Sequence, residues 1–304
     1  MAGCGVFRTE DPKGTDRLLP RFKEKQHMNY TAALVLTVEG NDNKGGGGGY
    51  DGGGPRRELE AEAIRCVINW RKHGGPFKSI PIYCMCPTNN PPSQKTVNQL
   101  GEWDATYIHE ENPITDLFPA GWWNVPYVGY LLETRIPEDL IIHVDLDMQL
   151  IRDANEELVW TDPDKYDAKC AVYSEGFEDD EQISPDFRKE FVTCFVTSWR
   201  EKRFYLKWWE KMLFIQARWD FTKMTWWAYC NIEEHAVDVL YHEDEVPIEK
   251  VHKVQIGNDQ GYDTVDTLTD EELKQVYFLH NHADNPDGAK RTVLEYTKRM
   301  LKAR

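Results

Sequence analysis

The stretch that decides the fold is Leu140-Ile141-Ile142-His143-Val144-Asp145-Leu146-Asp147-Met148, where a mainly apolar run leads into two aspartates one residue apart. A short continuous apolar run is typical of a buried strand in a parallel sheet. In open α/β sheets, ligands bind outside the carboxyl ends of the strands, where Asp145 and Asp147 would lie. Two carboxylates there can hold a hard divalent cation, and that cation can neutralise a diphosphate. The alternative interpretation is a surface turn that happens to contain two aspartates.

Alternating strand and helix patterns lead up to this stretch. The four predicted strands are separated by three helices, and they cover residues 32–38, 80–85, 105–109 and 140–145. This β-α-β-α-β-α-β order predicts a mainly parallel sheet with right-handed crossovers. We expect Asn124 to cap the third helix, with Pro126 tolerated in its first turn.

The second half of the chain mixes strands and helices less regularly. Its predicted strands lie near residues 169–173, 191–197, 251–256 and 276–280. Its predicted helices lie near residues 198–218, 231–241 and 292–302. No repeat or linker divides the chain, so we expect an N-terminal arm (1–30) followed by a single domain (31–304).

The net charge and the apolar content of the chain exclude some classes of protein. The 304 residues include 36 basic and 52 acidic side chains, for a formal net charge of −16. Such an acidic chain is a poor candidate for a nucleic-acid-binding protein, because phosphates would be repelled. No stretch approaches the roughly 20 apolar residues needed to span a bilayer, and we identify no signal peptide. We therefore expect a soluble cytoplasmic protein whose seven cysteines are reduced.

Polar residues at other strand ends are candidates for the same crevice. Thr37, Glu39 and Asn41 follow the first strand, which should neighbour the fourth, and they could bind a base or ribose. The alternative is that they are ordinary polar residues at a strand end.

Two histidines follow a late apolar strand, and His280 is the one nearer to the strand end. Its neutral imidazole can complete a Mn²⁺-type site with the carboxylates of Asp145 and Asp147. A structural histidine is the simpler alternative. Lys290 and Arg291 follow and could neutralise a departing diphosphate, although solvated surface cations would look the same.

A second acidic feature is Glu233-Glu234-His235-Ala236-Val237-Asp238. Glu234 and Asp238 are four residues apart and share one helix face. A carboxylate there could take a proton from an attacking hydroxyl, or stabilise a cationic sugar. The alternative is an exposed acidic helix start, which the helix dipole favours. The tandem Trp226-Trp227 just upstream suits a sugar subsite, since indoles stack on sugar rings.

The order of these features resembles the nucleotide-sugar glycosyltransferases of the GT-A fold, from the first strand to His280. Leu140–Met148 is similar to that family's hydrophobic strand and D-x-D motif, and 233–238 is similar to a segment near its reacting carbon. The strand 191–196 corresponds to the family's "Phe-Asn-Ser/Ala-Gly" strand, but Val192 and Cys194 replace its asparagine and glycine. The chain also resembles chlorovirus-encoded glycosyltransferases that build capsid glycans.

The resemblance implies a Rossmann-type, mainly parallel sheet flanked by helices, with a nucleotide-binding half (31–152) and an acceptor-binding half (153–304). It implies a metal-dependent transfer of a sugar, such as xylose from UDP-xylose, to a glycan hydroxyl in the host cytoplasm. Mn²⁺ or Mg²⁺ would be held by Asp147 and His280, and Asp145 would join them or bind the ribose. Glu234 or Asp238, with Glu233 beside them, would act at the acceptor.

Two other classes remain open from the sequence. In an aspartate-dependent phosphohydrolase, Asp145 would be the nucleophile and Asp147 the general acid. Such enzymes usually carry the pair after their first strand, whereas here it follows the fourth. A non-catalytic carbohydrate-binding protein would account for the tryptophan pairs, but not for an aspartate pair at the end of a buried strand.

Overall fold

The computed structural model describes residues 30–41, 58–118, 121–173, 190–218, 232–257, 263–280 and 286–302, and only the backbone of residues 286–290. The strands are β1 (Ala32–Thr37), β2 (Ile82–Cys86), β3 (Ala105–His109), β4 (Leu140–Val144), β5 (Met148–Leu150), β6 (Ala168–Val172), β7 (Phe191–Trp199), β8 (Ile248–Val251), β9 (Gln255–Gly257) and β10 (Phe278–His280). The α-helices are α1 (Leu59–His73), α2 (Gln94–Glu102), α3 (Val125–Arg135), α4 (Glu156–Val159), α5 (Phe204–Arg218), α6 (Ile232–His242), α7 (Asp270–Leu273) and α8 (Pro286–Lys302).

The central sheet has seven strands in the order β3-β2-β1-β4-β7-β6-β8. All neighbouring pairs are parallel except those of β7, which runs antiparallel to both β4 and β6. The predicted mixed α/β class with a mainly parallel sheet is therefore confirmed. The chain moves outward from β1 to β3 and then returns to place β4 on the other side of β1. Such a reversal of strand order creates a crevice beyond the carboxyl ends of β1 and β4.

Helices cover both faces of the sheet because its strands are apolar on both sides. Ala33, Val35 and Ile141 pack in one buried cluster with residues of α3, α5 and α6. Leu34 and Ile142 point to the opposite face, where they pack with residues of α1 and α2. The near-continuous burial of β1 and β4 is thus explained by this double coverage.

A smaller sheet, in the order β5-β10-β9, is attached where β4 ends. β5 runs antiparallel to β10, and β10 is parallel to β9. Phe195 of the central sheet contacts Phe278 of the small one, with ring centroids 5.4 Å apart. The outer side of the small sheet forms its own buried cluster, which includes Leu279 and Tyr296 of α8.

The packing of α3 against α5 leaves no room for a side chain at Gly129. A Cβ atom there would lie 2.1 Å from Cδ1 of Tyr205. Four residues along α3, Glu133 accepts hydrogen bonds from the backbone N–H groups of Tyr205 (2.9 Å) and Leu206 (3.2 Å). A buried glutamate of one helix therefore satisfies free N–H groups in the first turn of the next.

Several local predictions are wrong. Asn124 precedes α3 but makes no side-chain cap, because its amide donates to the carbonyl of Phe118 and its oxygen accepts from Asn112. β7 extends to Trp199, so α5 starts at Phe204 rather than near residue 198. The single strand predicted over 251–256 is two strands, β8 and β9, which belong to different sheets.

None of the described helices combines the length and the apolar composition that crossing a bilayer requires.

Candidate functional site

The turn after β4 brings Asp147 and His280 together. The backbone N–H of Met148 donates to the carbonyl of Asp145 (3.1 Å), which closes the turn and starts β5. β5 then pairs with β10 so that Met148 lies opposite His280. The result is a distance of 3.4 Å between Nε2 of His280 and Oδ1 of Asp147, with side chains only 3% and 5% exposed. Two residues that the sequence predicts as metal ligands are therefore neighbours.

Asp145 lies in the same turn but in a different environment. Its backbone N–H donates to the carbonyl of Cys194 on β7 (2.9 Å). Its Oδ1 lies 3.1 Å from Nε2 of the buried His143, two residues back along β4. The Asp145 side chain is 34% exposed. The aspartate pair thus consists of one buried carboxylate and one that reaches solvent.

The chemistry of these groups fits a hard divalent cation. Within the described ranges there is no group of three or more histidine, cysteine or acidic residues arranged to hold a metal ion. Mg²⁺ sites commonly use one or two carboxylates and complete the shell with water and substrate phosphates. Asp147 and His280 supply one carboxylate and one imidazole, and Asp145 is the adjacent accessible carboxylate. His282, the second of the two histidines that follow the late strand, lies outside the described residues.

The acidic segment of α6 is buried, in contrast to the exposed helix start that was its alternative. Glu233, Glu234 and Asp238 are 6%, 7% and 2% exposed. The hydroxyl of Tyr173, which follows β6, lies 2.9 Å from both carboxylate oxygens of Glu234. The backbone carbonyl of Glu233 also accepts a hydrogen bond, from Nε1 of Trp208 (2.8 Å). Glu234 is therefore a buried carboxylate held by a tyrosine.

Cys194 connects the two acidic features. Burial raises the pKa of its thiol well above the usual value, and the charges of Asp145, Glu234 and Asp147 raise it further. The residue also contacts the aspartate pair directly, since its backbone carbonyl accepts from the N–H of Asp145. The thiol donates to the side-chain oxygen of Gln255 (3.1 Å), so Cys194 of β7 contacts the small sheet.

Asp238 binds the backbone at the start of β7. Its Oδ1 accepts from the N–H groups of Glu190 and Phe191, each at 3.2 Å. Burial raises the pKa of Asp238 to about 8, and the nearby charges of Glu234 and Glu190 add to this effect against the two hydrogen bonds. The two backbone hydrogen bonds give Asp238 a structural role at the start of β7.

The candidates at the end of β1 have different surroundings. The carboxylate of Glu39 accepts from Oγ1 of Thr88 (2.6 Å) and from the backbone N–H of Gly121 (2.9 Å), so it anchors two loops. Asn41 accepts from the backbone N–H of Glu60 (3.0 Å) in the first turn of α1. Oγ1 of Thr37 is buried and has no hydrogen-bond partner among the described residues. Unlike the Glu39 carboxylate, the Thr37 hydroxyl therefore keeps its capacity to form a hydrogen bond with a ligand.

The remaining candidates are only partly described. Nothing is described of the Lys290 side chain or of the Trp226-Trp227 pair, and Arg291 is exposed on α8. The chain has two more tandem tryptophan pairs, at 122–123 and 208–209, and they contribute to the core: Trp123, Trp208 and Trp209 are buried. Sequence reasoning missed Tyr173 and His143. A polar side chain at the last position of a predicted strand was the available signal for Tyr173, and a histidine inside an apolar strand was the signal for His143.

A comparison with protein-family models finds no match, and a comparison with curated proteins finds none either.

Proposed function

We propose that the chain is a metal-dependent glycosyltransferase of GT-A type that moves a sugar from a nucleotide sugar to a glycan hydroxyl. The observation that carries the proposal is the buried contact between Asp147 and His280, 3.4 Å apart. A carboxylate and an imidazole are both ligands that Mn²⁺ accepts. Asp147 follows β4, and β4 is the neighbour of β1 at the reversal of strand order. In α/β sheets, such a reversal is where nucleotides commonly bind.

On the donor side, Asp147 and His280 would hold Mn²⁺ or Mg²⁺, and Asp145 would join them or bind the ribose. When bound, the cation supplies positive charge that offsets the charge developing on the leaving diphosphate. The Thr37 hydroxyl at the end of the neighbouring strand is the further group proposed to contact the nucleoside. UDP-xylose is the first donor to test, because it is the donor that the resemblance implies.

On the acceptor side, Glu234 is the proposed reacting carboxylate and Tyr173 its positioning residue. In the transfer, the bond between the anomeric carbon and the leaving phosphate oxygen breaks, a bond to the acceptor oxygen forms, and the hydroxyl proton is released. Glu234 takes that proton if the product is inverted, and it stabilises the sugar cation if the configuration is retained. NMR of the product's anomeric configuration separates these roles.

The proposed division of roles is tested by comparing E234Q with Y173F. E234Q should lower kcat by roughly 10²–10⁴, the range for a positioned acid or base. Y173F removes one hydrogen bond to a charged group, so we expect about a tenfold lower kcat with little change in KM for the donor. Y166F, in a half-exposed tyrosine of the loop before β6, is the matched control and should behave as wild type. Full activity of E234Q would remove Glu234 from the reaction.

A further inference from the structure

The outward side of α8 exposes two leucines. Leu294 is 53% and Leu301 64% exposed, the two largest values among the exposed large apolar side chains of the described residues. They are seven residues apart, which is close to two helical turns, so they lie on one side of the helix. Burying such side chains against another apolar surface would be favourable.

Three cations share this side of the helix. Arg291, Lys298 and Lys302 are exposed and stand within one or two turns of the leucines. None of the three forms an ion pair with a residue that the structure describes. Arg299 differs, because it is bound to Asp270 and to the carbonyl of Leu268. We call Arg291, Leu294, Lys298, Leu301 and Lys302 together the α8 outer face.

The opposite side of α8 is occupied by the protein itself. Tyr296 is buried, and Val293 and Met300 pack against the same cluster on the small sheet. The helix is therefore held in place by its inner side, and its outer face is presented without unfolding.

The charge of α8 is opposite to that of the chain. The helix contains five basic and two acidic residues, whereas the whole chain contains 36 basic and 52 acidic ones. Among residues 291–302, Glu295 is the acidic residue, and it lies beside the outer face. A cationic patch on an acidic protein orients the molecule toward an anionic surface, while the remaining surface is repelled from it.

We propose that the α8 outer face docks on an anionic lipid surface. Leucines next to lysine and arginine on one exposed helix face suit the boundary between headgroups and acyl chains, where the leucines insert and the cations meet lipid phosphates. A basic patch alone would fit any polyanion, and exposed leucines alone would fit any apolar groove. Their combination on one helix face is the reason for choosing a lipid surface.

The test is cosedimentation of the full chain with vesicles of phosphatidylcholine, with or without 30% phosphatidylserine, at low salt. We expect binding to the anionic vesicles and little to the neutral ones, with loss of binding as salt rises. Each cation contributes about fivefold to partitioning, so R291Q/K298Q/K302Q should bind roughly a hundredfold more weakly.

The matched control is K72Q/K78Q/K95Q. It makes the same change in net charge at three exposed lysines in the N-terminal half of the chain, away from α8 in the sequence. It should bind as wild type does.

The apolar part is tested with L294S/L301S, which should also weaken binding, whereas L117S at another exposed leucine should not. Wild-type protein that stays in the supernatant with 30% phosphatidylserine would overturn the proposal, and so would equal binding by both glutamine variants. The proposal would also be overturned if an acidic protein bound the α8 outer face and anionic vesicles did not.

Discussion

Replacing Asp238 by asparagine isolates the effect of one buried carboxyl group on stability. Both backbone hydrogen bonds of Asp238 end on the same oxygen, Oδ1. Asparagine keeps an oxygen in that position and removes the ability to ionise, so D238N resembles the protonated aspartate in shape and charge. The variant therefore changes the pH dependence of folding while retaining the contacts that hold the start of β7.

The sign and size follow from the pKa in the folded and unfolded chains. Burial raises the pKa from 3.8 to about 8, so the folded state keeps a proton that the unfolded chain loses. The contribution of Asp238 to stability is then complete below about pH 4 and is lost as the pH rises through about 8. Each pKa unit corresponds to about 1.4 kcal/mol, which gives an upper limit of about 6 kcal/mol for the loss.

Urea unfolding of wild type and D238N, followed by circular dichroism at one-unit steps from pH 4 to pH 9, measures this difference. The free energy of unfolding should be similar for the two proteins at pH 4. As the pH rises to about 8, wild type should lose stability that D238N keeps, so the difference between them should grow. D116N, at an exposed aspartate in a turn after β3, is the control and should follow wild type at every pH. Parallel curves for wild type and D238N would refute the reasoning.

Two further predictions concern the contact of α3 with α5. G129A should destabilise the protein by about 1–3 kcal/mol in urea unfolding, because the added Cβ overlaps the Tyr205 ring; an unchanged midpoint would show that the helices separate without cost. E133A should cost about 1–3 kcal/mol by leaving the N–H groups of Tyr205 and Leu206 without their acceptor, and E133Q, which keeps one acceptor oxygen, should cost less. Equal losses for E133A and E133Q would contradict this explanation.

The central sheet was predictable because its signals are local. The apolar runs of β1 and β4 predicted buried strands, and both strands are buried on both faces. The sequence also placed Asp147 at a strand end, and the sheet order confirms that β1 and β4 are neighbours. Each of these features depends on residues that are close together in the chain.

The details of the candidate site depend on contacts between distant residues and were not predictable in the same way. The hydrogen bond between Tyr173 and Glu234 joins residues 61 positions apart. β5 is three residues long, too short for a period to be recognised, yet it is the strand that brings His280 to Asp147. Asn124 failed as a cap because two tertiary partners compete for its side chain.

The most direct test of the proposed metal and nucleotide site is a thermal-shift measurement with UDP, in the presence and absence of Mn²⁺. A ligand at 100 times its Kd stabilises the folded state by about 2.7 kcal/mol, which corresponds to a rise in Tm of several degrees. We predict that UDP raises the Tm of wild type only with Mn²⁺, and that the ligand-induced rise is lost in both D147N and H280A, whatever their own Tm. Equal stabilisation by UDP without metal, or an undiminished rise in both variants, would contradict the account.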